Sequence, residues 1–278
     1  MKRFSFDGAF DLALTVSCGQ AFRWRYEADA WSAPVGDSLW RIRQKDDTLY
    51  YSGCSEEELI HYFALDLDLD EVLASVDTDD LIHSAIASCR GLRICRQPPF
   101  ECLISYICAS CSNIPMITKR IDLLSERFGK RTEEKRFAFP DAETLCGVPQ
   151  EELRCCKTGY RDSYIREASL YAAENPCWAE RIAGLPYADA KHELMQLSGV
   201  GPKVADCVLL FGFAKYEAIP VDVWIERIFR TQYFGGNGGK KLPYETTAAF
   251  GREHFGRFAG YAQEYLYAER EVISKRGE

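Results

Sequence analysis

Over its first fifty residues the chain alternates. Leu12, Leu14 and Val16 share one side of DLALTV (11–16), and Phe22, Trp24 and Tyr26 oppose Arg23 and Arg25 in FRWRY (22–26). LWRIRQ (39–44) and TLYYS (48–52) continue the pattern, separated by turn material in PVGD (34–37) and KDD (45–47). A period of two with one polar side predicts a small antiparallel sheet with one wet face. At Ser55 the period changes. Ser55 and Glu58 form a capping-box signature, and EEELIHYFAL (56–65) continues as a helix. Every later pattern is helical, over about 79–90, 100–112, 114–128, 141–146, 150–157, 161–174, 188–196, 202–213, 223–232, 244–255 and 260–274. Gly91, Gly129, Gly159 and Gly256 punctuate these runs, and GGNGGKK (235–241) reads as a flexible loop. The prediction is an α+β chain without internal repeats. A sheet with helices occupies 1–97, the Pro98–Pro99 pair makes the joint, and a helical domain fills 98–278.

Composition narrows this picture. With 278 residues, 47% hydrophobic and 27% charged, the chain has apolar material for a real core. No apolar run reaches the roughly 18 residues of a membrane span. MKRFSFDGAF lacks the apolar segment of a secretory signal, which points to the cytosol. Twelve cysteines in such a chain read as reduced thiols. Cys102, Cys108 and Cys111 have a metal-like C-x5-C-x2-C spacing, yet they lie in FECLISYICASC, a buried helix with no evident fourth ligand. Core thiols are the plainer reading. The net charge of −8 argues against binding nucleic acid by bulk attraction. Backbone N–H groups and a few local cations can still hold phosphates.

The chemistry concentrates in LSGVGPKVADCVLLFGFA (197–214). ADAKHELMQ (188–196) is a helix, Ser198-Gly199-Val200-Gly201 is a tight turn, and Pro202 takes the first position of the next helix. This is a helix–hairpin–helix, with Gly199 and Gly201 letting a phosphate approach N–H groups at a helix start. Lys203 stands at the positive end of that helix in an apolar run, and both circumstances favour a neutral, nucleophilic amine. Otherwise it reaches solvent and touches phosphate only. Cys207, at i+4, shares its face. Asp222, after Pro220, caps the following helix and can also stabilise positive charge on a sugar losing its base.

LSGVGPKVADC followed by IPVDVWIERIFR resembles the helix–hairpin–helix DNA glycosylases with a Gly/Pro…Asp signature, and among them the 8-oxoguanine DNA glycosylases. SCGQAFRWR (17–25), FECLISYICASCSNIPMIT (100–118) and AGYAQEYLY (259–267) carry the likeness along nearly the whole chain. The resemblance implies a bifunctional glycosylase/lyase of base-excision repair acting on double-stranded DNA. Lys203 would displace the damaged base and form a Schiff base, with strand nicking by β-elimination, while Asp222 stabilises the sugar cation. Cys207 and Tyr267 would sandwich the flipped base, Gln263 would bond its pairing edge, and the Gly19 carbonyl would accept the N7 proton that only 8-oxoguanine has. Flipping is required because the sugar carbon is unreachable inside the stack. Tyr160 would fill the gap and Arg161 contact the orphaned base. Carbonyls of Leu197 and Val200 are the places for a structural cation near phosphate.

Departures qualify that likeness. Relatives selective for cytosine opposite the lesion carry asparagines and then an arginine where this chain has Cys111-Ser112-Asn113 and Met116. Neither a thiol nor a thioether replaces an amide or guanidinium as a cytosine reader, so weak opposite-base discrimination is expected. Trp224 replaces a usual histidine at a phosphate contact. No cysteine follows Cys207, which disfavours the iron–sulfur glycosylases, and no other cofactor is expected. Lys203 disfavours the alkyl-base glycosylases. The pairing of Lys203 with Asp222, 19 residues apart, disfavours a non-catalytic DNA-binding module. Another damaged base remains an alternative substrate. A monomer in a bacterial or archaeal cytoplasm is expected.

Overall fold

The computed structural model describes residues 1–132, 136–236 and 239–276, with side chains through 274. Five strands form one antiparallel sheet in the order β1-β5-β4-β3-β2: β1 (Lys2–Ser5), β2 (Arg25–Glu27), β3 (Ala30–Val35), β4 (Ser38–Lys45) and β5 (Thr48–Ser52). Strand β3 holds Pro34, beyond the end of β2, where its missing N–H costs no ladder bond. Helices α1 (Leu12–Ser17), α2 (Glu56–Tyr62), α3 (Leu69–Val76) and α4 (Asp80–Ser88) complete the N-terminal part. The Ser55–Glu58 capping box is formed in both directions.

Two expectations fail here. DLALTV is α1, not a strand. Asp11 caps it by accepting from the Leu14 N–H at 2.8 Å, and Leu12, Thr15 and Val16 are buried at helical spacing. Within FRWRY only Arg25 and Tyr26 enter the sheet. Strands β1 and β3 and helix α3 lay outside the predicted elements.

The remaining helices are α5 (Pro99–Ala109), α6 (Ile114–Phe128), α7 (Ala142–Cys146), α8 (Gln150–Cys155), α9 (Arg161–Glu174), α10 (Trp178–Gly184), α11 (Tyr187–Leu194), α12 (Pro202–Phe213), α13 (Val223–Ile228), α14 (Tyr244–Phe255), α15 (Ala259–Ala268) and α16 (Arg270–Arg276). Residues 223–232 divide into α13 and a π-helical turn at Phe229–Tyr233, and 260–274 divide into α15 and α16. Helix α10 was not anticipated. The GGNGGKK segment includes Asn237 and Gly238, which lie outside the described residues.

Two cores result. One fills the sheet's inner face with Trp24, Trp40, Ile42, Leu49, Tyr51 and Phe63. The other surrounds α5, α12 and α15, and it also takes the apolar faces of α3 and α4. No helix among the described residues is long and apolar enough to cross a membrane.

Candidate active site

The turn between α11 and α12 is built for close approach. Gly199 has φ +81°, and a Cβ there would stand 2.4 Å from the Tyr164 ring. Gly201 is exposed with open space beside it, so the first N–H groups of α12 face outward. Pro202 holds the first helical position as expected, and Val200 packs into the core. Leu197 lies in the same turn, its carbonyl accepting the Val200 N–H at 3.0 Å. Lys203 follows Pro202, but the expected burial of its amine is not found. The side chain is exposed, because the first turn of α12 projects past the core that buries the helix from Val204 onward.

Lys203 stands at the edge of a cavity of about 760 Å³. Gly19, Cys207, Asp222, Gln263 and Tyr267 line the same cavity, together with Asn113 and Trp224. Cys207 is buried, and burial pushes its thiol up, opposed by Lys203 and reinforced by Asp206, Asp222 and Glu264. The thiol is therefore a neutral apolar surface rather than a thiolate. Asp222 caps α13, accepting from the N–H groups of Trp224 and Ile225 at 2.9 Å each. Burial pushes the Tyr267 hydroxyl up to about 12, and the Arg270 guanidinium sits 4.2 Å over its ring. Gln263 is 4% exposed, and its Oε1 has no hydrogen-bond partner among the described residues.

Gly19 joins this group from the other end of the chain. Its φ is +108°, and a Cβ there would meet Ile114 at 3.2 Å and Tyr267 at 3.6 Å. Position 19 is fixed through its neighbour. The Gln20 side chain donates to the carbonyls of Thr15 (2.9 Å) and Arg93 (2.8 Å) and accepts from the Cys95 N–H (2.7 Å). The Gln20 carbonyl accepts from Gln97 Nε2 (2.8 Å) and the Tyr106 hydroxyl (3.0 Å).

A second set of polar groups ties the lysine and aspartate segments together. Asp206 is fully buried and accepts from the Tyr187 and Tyr244 hydroxyls at 2.6 Å each and from Lys191 Nζ at 2.9 Å. Burial raises its carboxyl, against the pull of Lys191 and both tyrosines. The Tyr244 oxygen also accepts the Val221 N–H at 3.4 Å and lies 3.3 Å from the Pro202 carbonyl. One hydroxyl thus touches the residues beside Lys203 and Asp222. Sequence reasoning missed Gln20, Glu264, Tyr244 and the Asp206 cluster. The signal for Asp206 and Glu264 was available: each is a lone acid in an otherwise apolar helical face.

The proposed opposite-base residues are dispersed. Asn113 caps α6, its side-chain oxygen accepting from the Met116 N–H at 3.0 Å, and Met116 is exposed in the first turn. Tyr160 is 55% exposed at the start of α9. Arg161 is not presented to the outside. It is buried, donates to the Ser110 and Thr158 carbonyls, and stacks 4.3 Å from the Tyr160 ring. Trp224 is half-buried beneath the Arg227 guanidinium. Cys102 and Cys108 are core residues of α5, Cys111 lies exposed beyond it, and no three metal-ligating side chains come together among the described residues.

An antiparallel sheet beside a helical body, with a hairpin lysine and a capping aspartate around one cavity, is the layout expected of a helix–hairpin–helix DNA glycosylase. The model of the 8-oxoguanine DNA glycosylase N-terminal domain matches residues 4–103. A probable N-glycosylase/DNA lyase of Methanothermobacter thermautotrophicus is 36% identical over 234 residues, covering 76% of this chain and 73% of the relative. The N-glycosylase/DNA lyase OGG1 of Arabidopsis thaliana is 32% identical, covering 92% of this chain and 76% of the relative. The 8-oxoguanine glycosylase/lyase of Clostridium acetobutylicum, solved with double-stranded DNA containing cytosine opposite 8-oxoguanine, superposes with a TM-score of 0.89 at 29% identity over 98% of each chain. This chain belongs to the 8-oxoguanine DNA glycosylase family of N-glycosylase/DNA lyases.

Proposed function

We propose that this chain removes 8-oxoguanine from double-stranded DNA and nicks the strand through Lys203. The observation that carries the reading is convergence. Gly19, Lys203, Cys207, Asp222, Gln263 and Tyr267 come from distant parts of the chain and meet at one cavity. The flipped base enters between the Cys207 thiol and the Tyr267 ring. Gln263 and the Gly19 carbonyl offer acceptors to its N–H groups, and a guanine without the N7 proton lacks a donor for Gly19. The Lys203 amine attacks C1′, the C1′–N9 bond breaks with its electron pair leaving on the base, and the amine becomes a Schiff base with the opened sugar. Loss of the C2′ proton then expels the 3′ phosphate. Asp222, held by its two cap bonds, places negative charge beside the developing sugar cation. Contact with DNA excludes water from the exposed lysine at the moment of reaction. No cofactor enters these steps, and a single chain suffices, in a bacterial or archaeal cytoplasm.

The test is borohydride trapping with an 8-oxoguanine duplex. The native chain gives a covalent complex. Lys203→Gln gives none, and its excision rate falls at least about a thousandfold. No adduct from the native chain removes the Schiff-base mechanism.

Opposite-base selectivity is relaxed in this reading. The Asn113 carbonyl is engaged in capping, Met116 presents a thioether, and Arg161 is turned inward. Excision from duplexes with C, A, G or T opposite the lesion should agree within about fivefold, since no directional hydrogen bond separates them. A strong preference for C overturns this part.

A further inference from the structure

Beside Gln263, helix α15 carries Glu264, which is only 2% exposed and lines the same cavity. Its Oε1, like Oε1 of Gln263, has no hydrogen-bond partner among the described residues. A buried acceptor without a donor is costly, and the cost disappears when a ligand supplies one. Two such acceptors in consecutive residues of one cavity wall call for a ligand edge with two neighbouring N–H donors. The pairing edge of a guanine-type base has them, N1–H and the 2-amino group. An adenine-type edge pairs a single donor group with an acceptor nitrogen, which would leave one of the two oxygens orphaned. We infer that Glu264 is a second reader of the pairing edge, its Oε1 accepting from the 2-amino group of the flipped base beside the N1–H taken by Gln263. The inference rests on the 8-oxoguanine reading above and adds to it a specificity residue.

The surroundings suit that role. Burial pushes the Glu264 carboxyl up to about 7, with the Cys18 contact pulling it down, the Asp222 carboxylate adding to the rise, and the Arg270 charge and the neighbouring Gln263 amide also pulling it down. Near pH 7 the group is therefore poised between its neutral and ionised forms, and a donated N–H favours the ionised one. Cys18, its thiol neighbour, directly precedes Gly19, so one carboxyl adjoins both the pairing edge and the strip that reads N7.

The experiment compares duplexes carrying 8-oxoguanine or 8-oxohypoxanthine opposite the same base. The two lesions differ only in the 2-amino group. The native protein should favour 8-oxoguanine by about tenfold or more in kcat/KM. Glu264→Leu should bring the ratio close to one, and Glu264→Gln, which keeps an acceptor oxygen, should retain most of it. A purely structural role would lower both rates together and leave the ratio intact. A native protein that removes both lesions alike overturns the inference without need of a variant, as does a Glu264→Leu enzyme that keeps the preference. Both of those results leave 8-oxoguanine excision standing. A native protein inert toward 8-oxoguanine removes the underlying reading as well.

Discussion

Lys203 and Glu264 show how much a single residue discloses in the sequence. The place of Lys203 followed from Pro202 and the two glycines before it, because local geometry fixes a hairpin. Its exposure did not, since neighbours in the chain are poor guides to what lies above a first helical turn. Glu264 stood in AGYAQEYLYAE as a lone acid on an apolar face, but only the cavity gave that acid a meaning. Its carboxyl makes a stability prediction. The folded-state value is raised from 4.5 to about 7, so between those limits the native state binds more protons than the unfolded chain. Native stability from this group therefore falls as pH rises through the window. Glu264→Gln carries no such penalty. Its stability advantage over the native chain should be flat below about pH 4.5, grow up to pH 7, and reach on the order of 3 kcal/mol at pH 8. Urea melts of both proteins across this range measure it, and a pH-independent difference contradicts the assigned burial.

Among the elements, caps and prolines were legible and short runs were not. The Ser55–Glu58 box, Pro202 at the start of α12 and Asp222 at the start of α13 all sit where side-chain chemistry placed them. DLALTV failed because six residues satisfy both periods: Leu12, Leu14 and Val16 alternate, while Leu12, Thr15 and Val16 share a helical face. Burial of Thr15 and the Asp11 cap decide for the helix. In LDLDLDEV (65–72) the leucine–aspartate alternation masked the start of α3. The Tyr244 hydroxyl was equally hidden, since its partners lie on α12 and in the 219–221 segment. Tyr244→Phe removes a bond that positions α12 against the Asp222 segment. It should lower kcat for excision about tenfold while KM for DNA stays within about twofold, and cost about 1–2 kcal/mol of stability. Single-turnover kinetics beside equilibrium melts separate these effects. An unchanged kcat would show that Asp206 alone holds the helix.

At the scale of the whole molecule, a chain of net charge −8 must meet a polyanion. The chain as a whole does not attract DNA, so backbone N–H groups at the hairpin are expected to carry much of the phosphate contact. Affinity for a lesion duplex, measured by fluorescence anisotropy between about 50 and 200 mM salt, should show a log–log slope shallower than about −4. A slope near −8 would instead point to extensive cation–phosphate contact. The sheet-then-helices architecture was read correctly from the change of period at Ser55. The way its parts communicate was not, because that rests on Gln20, whose hydrogen bonds reach from Thr15 to Tyr106. Under the proposed function those bonds have a metrological meaning. At Gly19, telling a damaged guanine from an intact one means sensing the one hydrogen on N7, against an enormous excess of undamaged bases. A carbonyl that wandered by half an ångström would report both as the same. By pinning the residue next to Gly19 into both cores, the chain makes the accuracy of its lesion sensor a property of the entire fold, so that loosening the protein anywhere along this seam blurs the measurement before it stops the chemistry.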